Sequence, residues 1–187
     1  MSATKSSIVA MAEAAIDVDA AMAACDKAFG ELSIKFDNHK HEPVMTVEAG
    51  LKATAALGDV SFAKNMFLKD KKGRIFLVVA LHDAEIDLKS LHQKIGAQGR
   101  LSFGKPDLLM EVLGVEPGSV TPFALYNDRE AHRVTPVFDA AMMELDPLNF
   151  HPLRNTATTS IARDDLLVFA RACGHDPQVI AVSGAQA

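Results

Sequence analysis

Residues 65–81 read NMFLKDKKGRIFLVVAL, and the way this stretch folds decides the architecture. The runs 65–69 and 74–81 are rich in branched and aromatic side chains, and the polar segment Asp70-Lys71-Lys72-Gly73 between them ends in glycine. That pattern predicts a β-hairpin. IFLVVAL is apolar at every position, as expected of a central strand covered on both faces. Such a strand needs layers on either side of its sheet, so the hairpin alone already predicts a layered α/β domain.

Working outward toward the N-terminus, an Ala- and Met-rich helix is predicted over 17–29, capped by Asp17 and stopped by Gly30. Leu32, Ile34 and Phe36 then alternate with Ser33 and Lys35 as in a half-buried strand, and 37–43 reads as a loop. Thr46 can cap a short helix running through Leu57. Toward the C-terminus, Leu88, Leu91 and Ile95 have helical spacing after a possible Asp87 cap. A second covering helix, 106–113, has Pro at its start and Gly114 at its end. Beyond the Gly/Pro-rich turn 115–122, strands are predicted at 133–138, 148–151 and 156–161. Ser160 or Ala162 opens a helix through Ala172 closed by Gly174, and 179–182 is a last strand. Repeats and interdomain linkers are lacking, so the expectation is a tail over 1–16 and one domain over 17–187. Hairpin and clustered late strands break a regular βαβ alternation, which makes the fold class α/β with a single-domain mixed β-sheet flanked by helices, not a doubly wound one.

The chain has 187 residues, 49% of them hydrophobic and 23% charged, enough for a core without disulfide or metal staples. Cys25 and Cys173 are too far apart in sequence for a disulfide framework or a CxxC knuckle, so a reducing cytoplasm is expected. The stretch 1–15 has one lysine and a short apolar run cut by Glu13, too weak for a secretory signal and too short to span a bilayer. A net charge of −5 argues against nonspecific coating of nucleic acid and leaves a local basic patch open.

No GxSxG, P-loop, GxGxxG, HExxH or CxxC motif occurs. His39 and His41 flank Lys40 without a remaining ligand set for a metal, so no metal and no cofactor is expected. Lys64, Lys69, Lys71, Lys72 and Arg74, opposed only by Asp70, form the one dense basic segment. It reads either as a solvated turn or as a patch tracking an RNA backbone. Lys64 differs from the rest because Phe62 and Met66 share its strand parity. Its amine either snorkels from the sheet edge or stands as a fixed positive charge aimed at an oxyanion. Gly118-Ser119-Val120-Thr121-Pro122 is a rigid turn or a loop offering backbone N–H groups to a ligand. His151 alone reads as a structural histidine or a site imidazole.

Taken together, Lys64-Asn65 at the head of a strand, the GSVTP loop at 118–122, and NFHPLRN at 149–155 followed by TATTS resemble the prolyl-tRNA editing family. These are the YbaK-type and ProX-type aminoacyl-tRNA deacylases, related to the editing insertion of bacterial prolyl-tRNA synthetases. His41-Glu42-Pro43-Val44, Thr46-Val47-Glu48 and SFGKPDLLMEVLGVEPGSVTP extend the likeness across nearly all of 17–182. Within the family the chain is most similar to the free-standing deacylases that clear alanine from tRNA(Pro). The resemblance implies a mixed sheet with flanking helices and metal-free hydrolysis of the ester between amino acid and terminal adenosine. It further implies Lys64 as the key lysine, Asn65 as its pocket neighbour, the loop Gly118, Ser119, Val120, Thr121 and Pro122 framing the aminoacyl group, and His151 in the pocket wall. Arg154 and Asn155 match the motif in supporting roles. An aminoacyl ester is already activated, so holding a water and stabilising an oxyanion suffices without a nucleophile triad.

A methyl-sized pocket excludes the proline ring by overlap. Lys69, Lys71, Lys72, Arg74 and Arg100 are the candidates for binding the acceptor stem. The expected partner is mischarged tRNA(Pro), with transient association with prolyl-tRNA synthetase or an elongation factor and no membrane. Two alternatives stay open: a deacylase for cysteine or another small residue, and a noncatalytic module that binds tRNA ends or protein.

Overall fold

The computed structural model describes residues 18–42 and 62–184. The expected tail over 1–16, the Asp17 cap and the helix from Thr46 to Leu57 lie outside the described residues. The hairpin forms as the sequence predicts: β2 (Ala63–Lys69) pairs antiparallel with β3 (Ile75–Leu81), Lys69 opposite Ile75. At the turn, Gly73 takes a φ of 82°, and its N–H donates to the Asp70 carbonyl. Ile75 to Ala80 of β3 are all buried, and the strand is central in a five-stranded sheet. β4 (Ser102–Phe103) lies at one edge beside β2; β5 (Val134–Asp139) runs parallel to β3, and β8 (Gln178–Ile180) closes the other edge.

Side-chain alternation along β3 sends Ile75, Leu77 and Val79 to one face and Phe76, Val78 and Ala80 to the other. The first face packs against α1 (Val18–Glu31), α3 (Pro106–Leu113) and α4 (Arg163–Ala172), where Phe29, Phe123 and Phe169 meet with ring centroids 5.0–5.8 Å apart. Tilted and edge contacts of this kind stabilise beyond the area they bury. The second face is covered by the segment around the short α2 (Leu91–Lys94), with Leu91 and Ile95 buried. A second sheet, antiparallel, places β7 (Ala157–Ile161) between β1 (Phe36–Lys40) and β6 (Leu148–Phe150). Phe62 bridges to Asn149 and so joins the two sheets. No helix among the described residues is long and apolar enough to cross a membrane.

Pro106 and Gly114 bound α3 as expected, Gly114 taking a φ of 65°. The N-terminal reading is corrected. α1 runs through Gly30 to Glu31, and Ser33 is the residue in the left-handed conformation, with a φ of 57°. Ser33 N–H donates to Gly30 O at 3.1 Å and Ile34 N–H to Phe29 O at 2.9 Å, the paired bonds of a Schellman closure, with Ile34 and Phe29 buried in the same core. The alternation at 32–36 is thus spent on ending a helix. β1 occupies 36–40, where a loop was expected, because each of its residues has a partner on β7. As an edge strand it carries polar residues and lacks the apolar alternation that announces a half-buried strand.

Candidate active site

β6 and β7 carry a polar face: Asn149 stands opposite Ser160, and His151 follows at the same parity, while Leu148 and Phe150 turn into the core. Ser160 Oγ hydrogen-bonds to Asn149 Oδ1. At the junction with the first sheet, Asn65, Asn149, His151 and Thr158 line a narrow pocket walled by Phe62 and Phe150, with a volume of about 10 Å³, the scale of a single water. The structure therefore brings together two of the expected residues, Asn65 and His151, and adds Asn149 and Thr158. Polar residues at alternate positions in two short strands are the signal that could have found those two.

The hydrogen bonds set what each group can still offer. His151 Nδ1 lies 3.1 Å from the Ala157 carbonyl, which can only accept, so Nδ1 carries the proton and Nε2 of the neutral ring is an acceptor. Burial lowers the His151 pKa, the bond to Ala157 opposes that shift and nearby His41 adds to it, so the ring is neutral at pH 7. His41 holds Glu42 O through Nδ1 and Thr158 Oγ1 through Nε2, each at 2.9 Å. By the same logic the Thr158 hydroxyl donates to His41 and keeps its lone pairs. Asn65 Oδ1 is buried and, among the described residues, has no hydrogen-bond partner. The pocket thus offers acceptors and suits a ligand rich in donors, such as an ammonium or a hydroxyl.

Lys64 is next to Asn65 but on the opposite face of β2: it stands opposite Ala80 on the second core's side, whereas Asn65 stands opposite Val79 on the first. Its half-buried amine donates to the Ala84 carbonyl in the loop leaving β3. The structure does not place Lys64 in the lining of the Asn65–His151 pocket. Nor does the 118–122 loop line it. Thr121 is fully buried and its hydroxyl accepts from Phe123 N–H at 3.4 Å, capping the 3₁₀ helix Pro122–Asp128. Val120 packs on the core, Pro122 is buried, and Gly118, with a φ of 92°, and Ser119 form the accessible tip. Arg154 pairs with Asp19 of α1 at 2.8 Å, and both line a cavity of about 530 Å³ that also meets Lys40 and His41.

The basic residues gather at the far end of β2. Lys69, Lys71, Lys72, Arg74 and Arg100 are all exposed, with the backbone N–H of Lys71 donating to Gln98 O. Arg74 is partly committed, since its Nε donates to Asp70 Oδ2 at 2.9 Å and its Nη2 to Gly96 O at 2.7 Å. Asp70 is therefore a structural anion under the turn and not one more surface charge. Burial opposes its ionisation, but bonds from Gln98 N–H, the Arg74 side chain and the N–H groups of Arg74 and Lys72 prevail and hold its pKa at about 2. Cys25 and Cys173 are free and buried. Burial pushes their thiols up to about 12 and 11, which leaves neither a nucleophile at neutral pH. Among the described residues no three His, Cys, Asp or Glu side chains gather to hold a metal.

A family model described as aminoacyl-tRNA editing domain matches residues 41–169. The prolyl-tRNA synthetase associated domain-containing protein 1 of Mus musculus is 35% identical over 159 residues, covering 83% of this chain and 92% of that protein. The prolyl-tRNA editing protein ProX of Acetoanaerobium sticklandii is 38% identical over 161 residues, covering 86% of this chain and 96% of its own. A solved structure described as a "putative trans-editing enzyme for prolyl tRNA synthetase" superposes with a TM-score of 0.63 at 14% identity, over 88% of this chain and 98% of that one. At that identity the match bears on the fold alone.

Proposed function

The chain belongs to the aminoacyl-tRNA editing domain family, and on that premise we propose that it hydrolyses the ester of mischarged tRNA(Pro) in trans, in the cytoplasm, with alanine as the preferred residue and no metal. The observation that carries this reading is the acceptor-lined pocket at the sheet junction. The pocket has room for one small group: Asn65 Oδ1 and the Thr158 hydroxyl suit the α-ammonium of an aminoacyl ester, and the narrow walls exclude a pyrrolidine ring by overlap. Neutral His151 holds a water or a ribose hydroxyl through Nε2. Gly118, outside the pocket lining, supplies a backbone contact to the aminoacyl group, the Ser119 N–H being already given to Glu116 O, and the substrate's own ribose hydroxyl orients the attacking water. Lys64, lying across β2 from Asn65, anchors the terminal adenosine's phosphate, a role its face of the strand suits better than direct contact with the ester. Lys69, Lys71, Lys72 and Arg100, with what Arg74 has to spare, hold acceptor-stem phosphates. Association with prolyl-tRNA synthetase or an elongation factor would deliver the substrate.

The test is hydrolysis of alanyl-, cysteinyl-, seryl- and prolyl-tRNA(Pro) after EDTA treatment, at two salt concentrations. Alanine is released fastest, proline is spared, and EDTA changes nothing. Four acceptor-stem phosphate contacts make kcat/KM fall on the order of 50–150-fold between about 50 and 200 mM salt. Faster release of cysteine keeps the reaction and moves the specificity; release of none leaves a module that binds without catalysis.

The His151 assignment makes a separate prediction about pH. A ring that must be neutral to accept loses function when protonated. After subtraction of spontaneous ester hydrolysis, kcat/KM therefore rises with pH through an apparent pKa below the ordinary 6.5 and is flat above it. In His151→Gln that acid limb disappears; a limb unchanged in the variant would assign the titration to another group.

A further inference from the structure

The edge strand β4 holds an aromatic side chain that the fold does not use. Phe103 is 62% exposed, while Phe29, Phe67, Phe76, Phe123, Phe138, Phe150 and Phe169 are all buried. Its position is built, not loose. Phe103 pairs with Leu68 of β2, and the next residue, Gly104, donates its N–H to Phe67 O at 2.9 Å. A Cβ on Gly104 would come within 2.3 Å of the Phe67 ring, so only glycine lets the chain cross there, and the crossing fixes the backbone that displays the neighbouring ring.

The surroundings of the ring are cationic. Lys69 stands opposite Ser102, Arg100 and Lys105 flank the strand in sequence, and all three are exposed. Lys71 lies close by, its aliphatic stem against Gly99. Asp107 in the first turn of α3 is the carboxylate nearest in sequence, and Asp70 is buried and satisfied beneath the hairpin turn. Exposed lysines and arginines beside an edge strand block pairing with another protein strand. A single rigid aromatic face ringed by cations matches a nucleobase between phosphates.

Resting on the proposed action on tRNA, we propose that Phe103 is a stacking platform for an unpaired nucleobase of the RNA's 3′ segment, with Lys69, Arg100 and Lys105 holding the adjoining phosphates. Leu68, and with it Phe103, shares the face of Lys64 and lies four residues along β2 from it, about 14 Å. That span suits the bases just before the aminoacylated adenosine.

The chain has no tryptophan, so Phe103→Trp installs a single fluorescent reporter at the site. The probe is an uncharged acceptor-stem hairpin with its single-stranded 3′ overhang. Its binding quenches the Phe103→Trp emission saturably, while a blunt hairpin quenches little. Phe103→Ala and Phe103→Leu each bind the overhang hairpin about ten-fold more weakly than wild type, and Phe103→Tyr stays close to wild type. Unaltered binding by Phe103→Ala, with no quenching of Phe103→Trp although the hairpin binds, overturns the platform and leaves Phe103 to a protein partner. Failure of the wild-type protein to bind the hairpin at all sinks both this inference and the tRNA reading beneath it.

Discussion

Lys64→Ala lowers kcat/KM for alanyl-tRNA(Pro) deacylation by about 10–100-fold, the scale of losing one charge-assisted contact to a phosphate, while the protein stays folded. The structure explains why stability should survive. Among the described residues the Lys64 amine donates to the Ala84 carbonyl, and a bond of that kind contributes only about 1.5–3 kcal/mol net. The side chain is already partly solvent-accessible, and its neighbours Ala80 and Met66 keep the second core closed behind it. Three variants separate charge from tether. Lys64→Met keeps the aliphatic stem and loses the charge, so it falls with Lys64→Ala. Lys64→Arg keeps the positive charge and can still hold a phosphate, but its longer planar fork places that charge differently from the lysine amine, so it recovers part of the rate. If the lysine only fastened the loop after β3, all three would retain near-wild-type rates and differ in thermal midpoint alone, and the anchoring role would be lost.

Asp70→Ala is expected to cost about 3 kcal/mol of stability, because it leaves several donors without the carboxylate that organises them. The N–H groups of Lys72, Arg74 and Gln98 and the Arg74 guanidinium all converge on this one buried side chain. In a chain of this length that loss lowers the thermal midpoint by about 6–12 °C. The titration of Asp70 predicts the accompanying pH dependence. Its folded pKa of about 2 lies below the ordinary 3.8, so ionised Asp70 favours the folded state at all pH values above about 4. That contribution, about 2 kcal/mol, is lost as pH falls from 4 toward 2. Denaturant unfolding of wild type and Asp70→Ala at pH 7 and pH 3 measures both effects, and their difference should shrink at the lower pH. An equal difference at both pH values would show that the anion does not organise the turn. The same variant loosens the segment that presents Lys71 and Lys72, so its activity becomes less sensitive to salt.

How much of this was legible in the residues depends on how far apart the interacting groups lie. The hairpin announces itself because its strands, turn and terminal glycine are contiguous, and α3 because Pro106 and Gly114 mark both its ends. Lys64 and Asn65 were both visible as candidates, and strand alternation puts such neighbours on opposite faces. Which face meets the pocket depends on the Phe62–Asn149 bridge between the sheets, and no local pattern encodes that.

β1 illustrates the limit. Its polar residues have no pattern of their own and become a strand only because β7 pairs with them, Asn38 meeting Thr159 across 121 residues. The acceptor character of the pocket has the same origin: Thr158 keeps its lone pairs because His41, 117 residues away, takes its proton as a hydrogen bond. Asp70 read as the one opponent of a basic run until the fold buried it under the turn and made it the run's support. The sequence alone determined the elements whose energetics are local: turn, cap, amphipathic stripe and the apolar strand that had to be central. Tertiary structure decided which polar groups are satisfied and which are left open to a ligand, because a hydrogen bond is directional and counts only between the atoms the fold brings within reach.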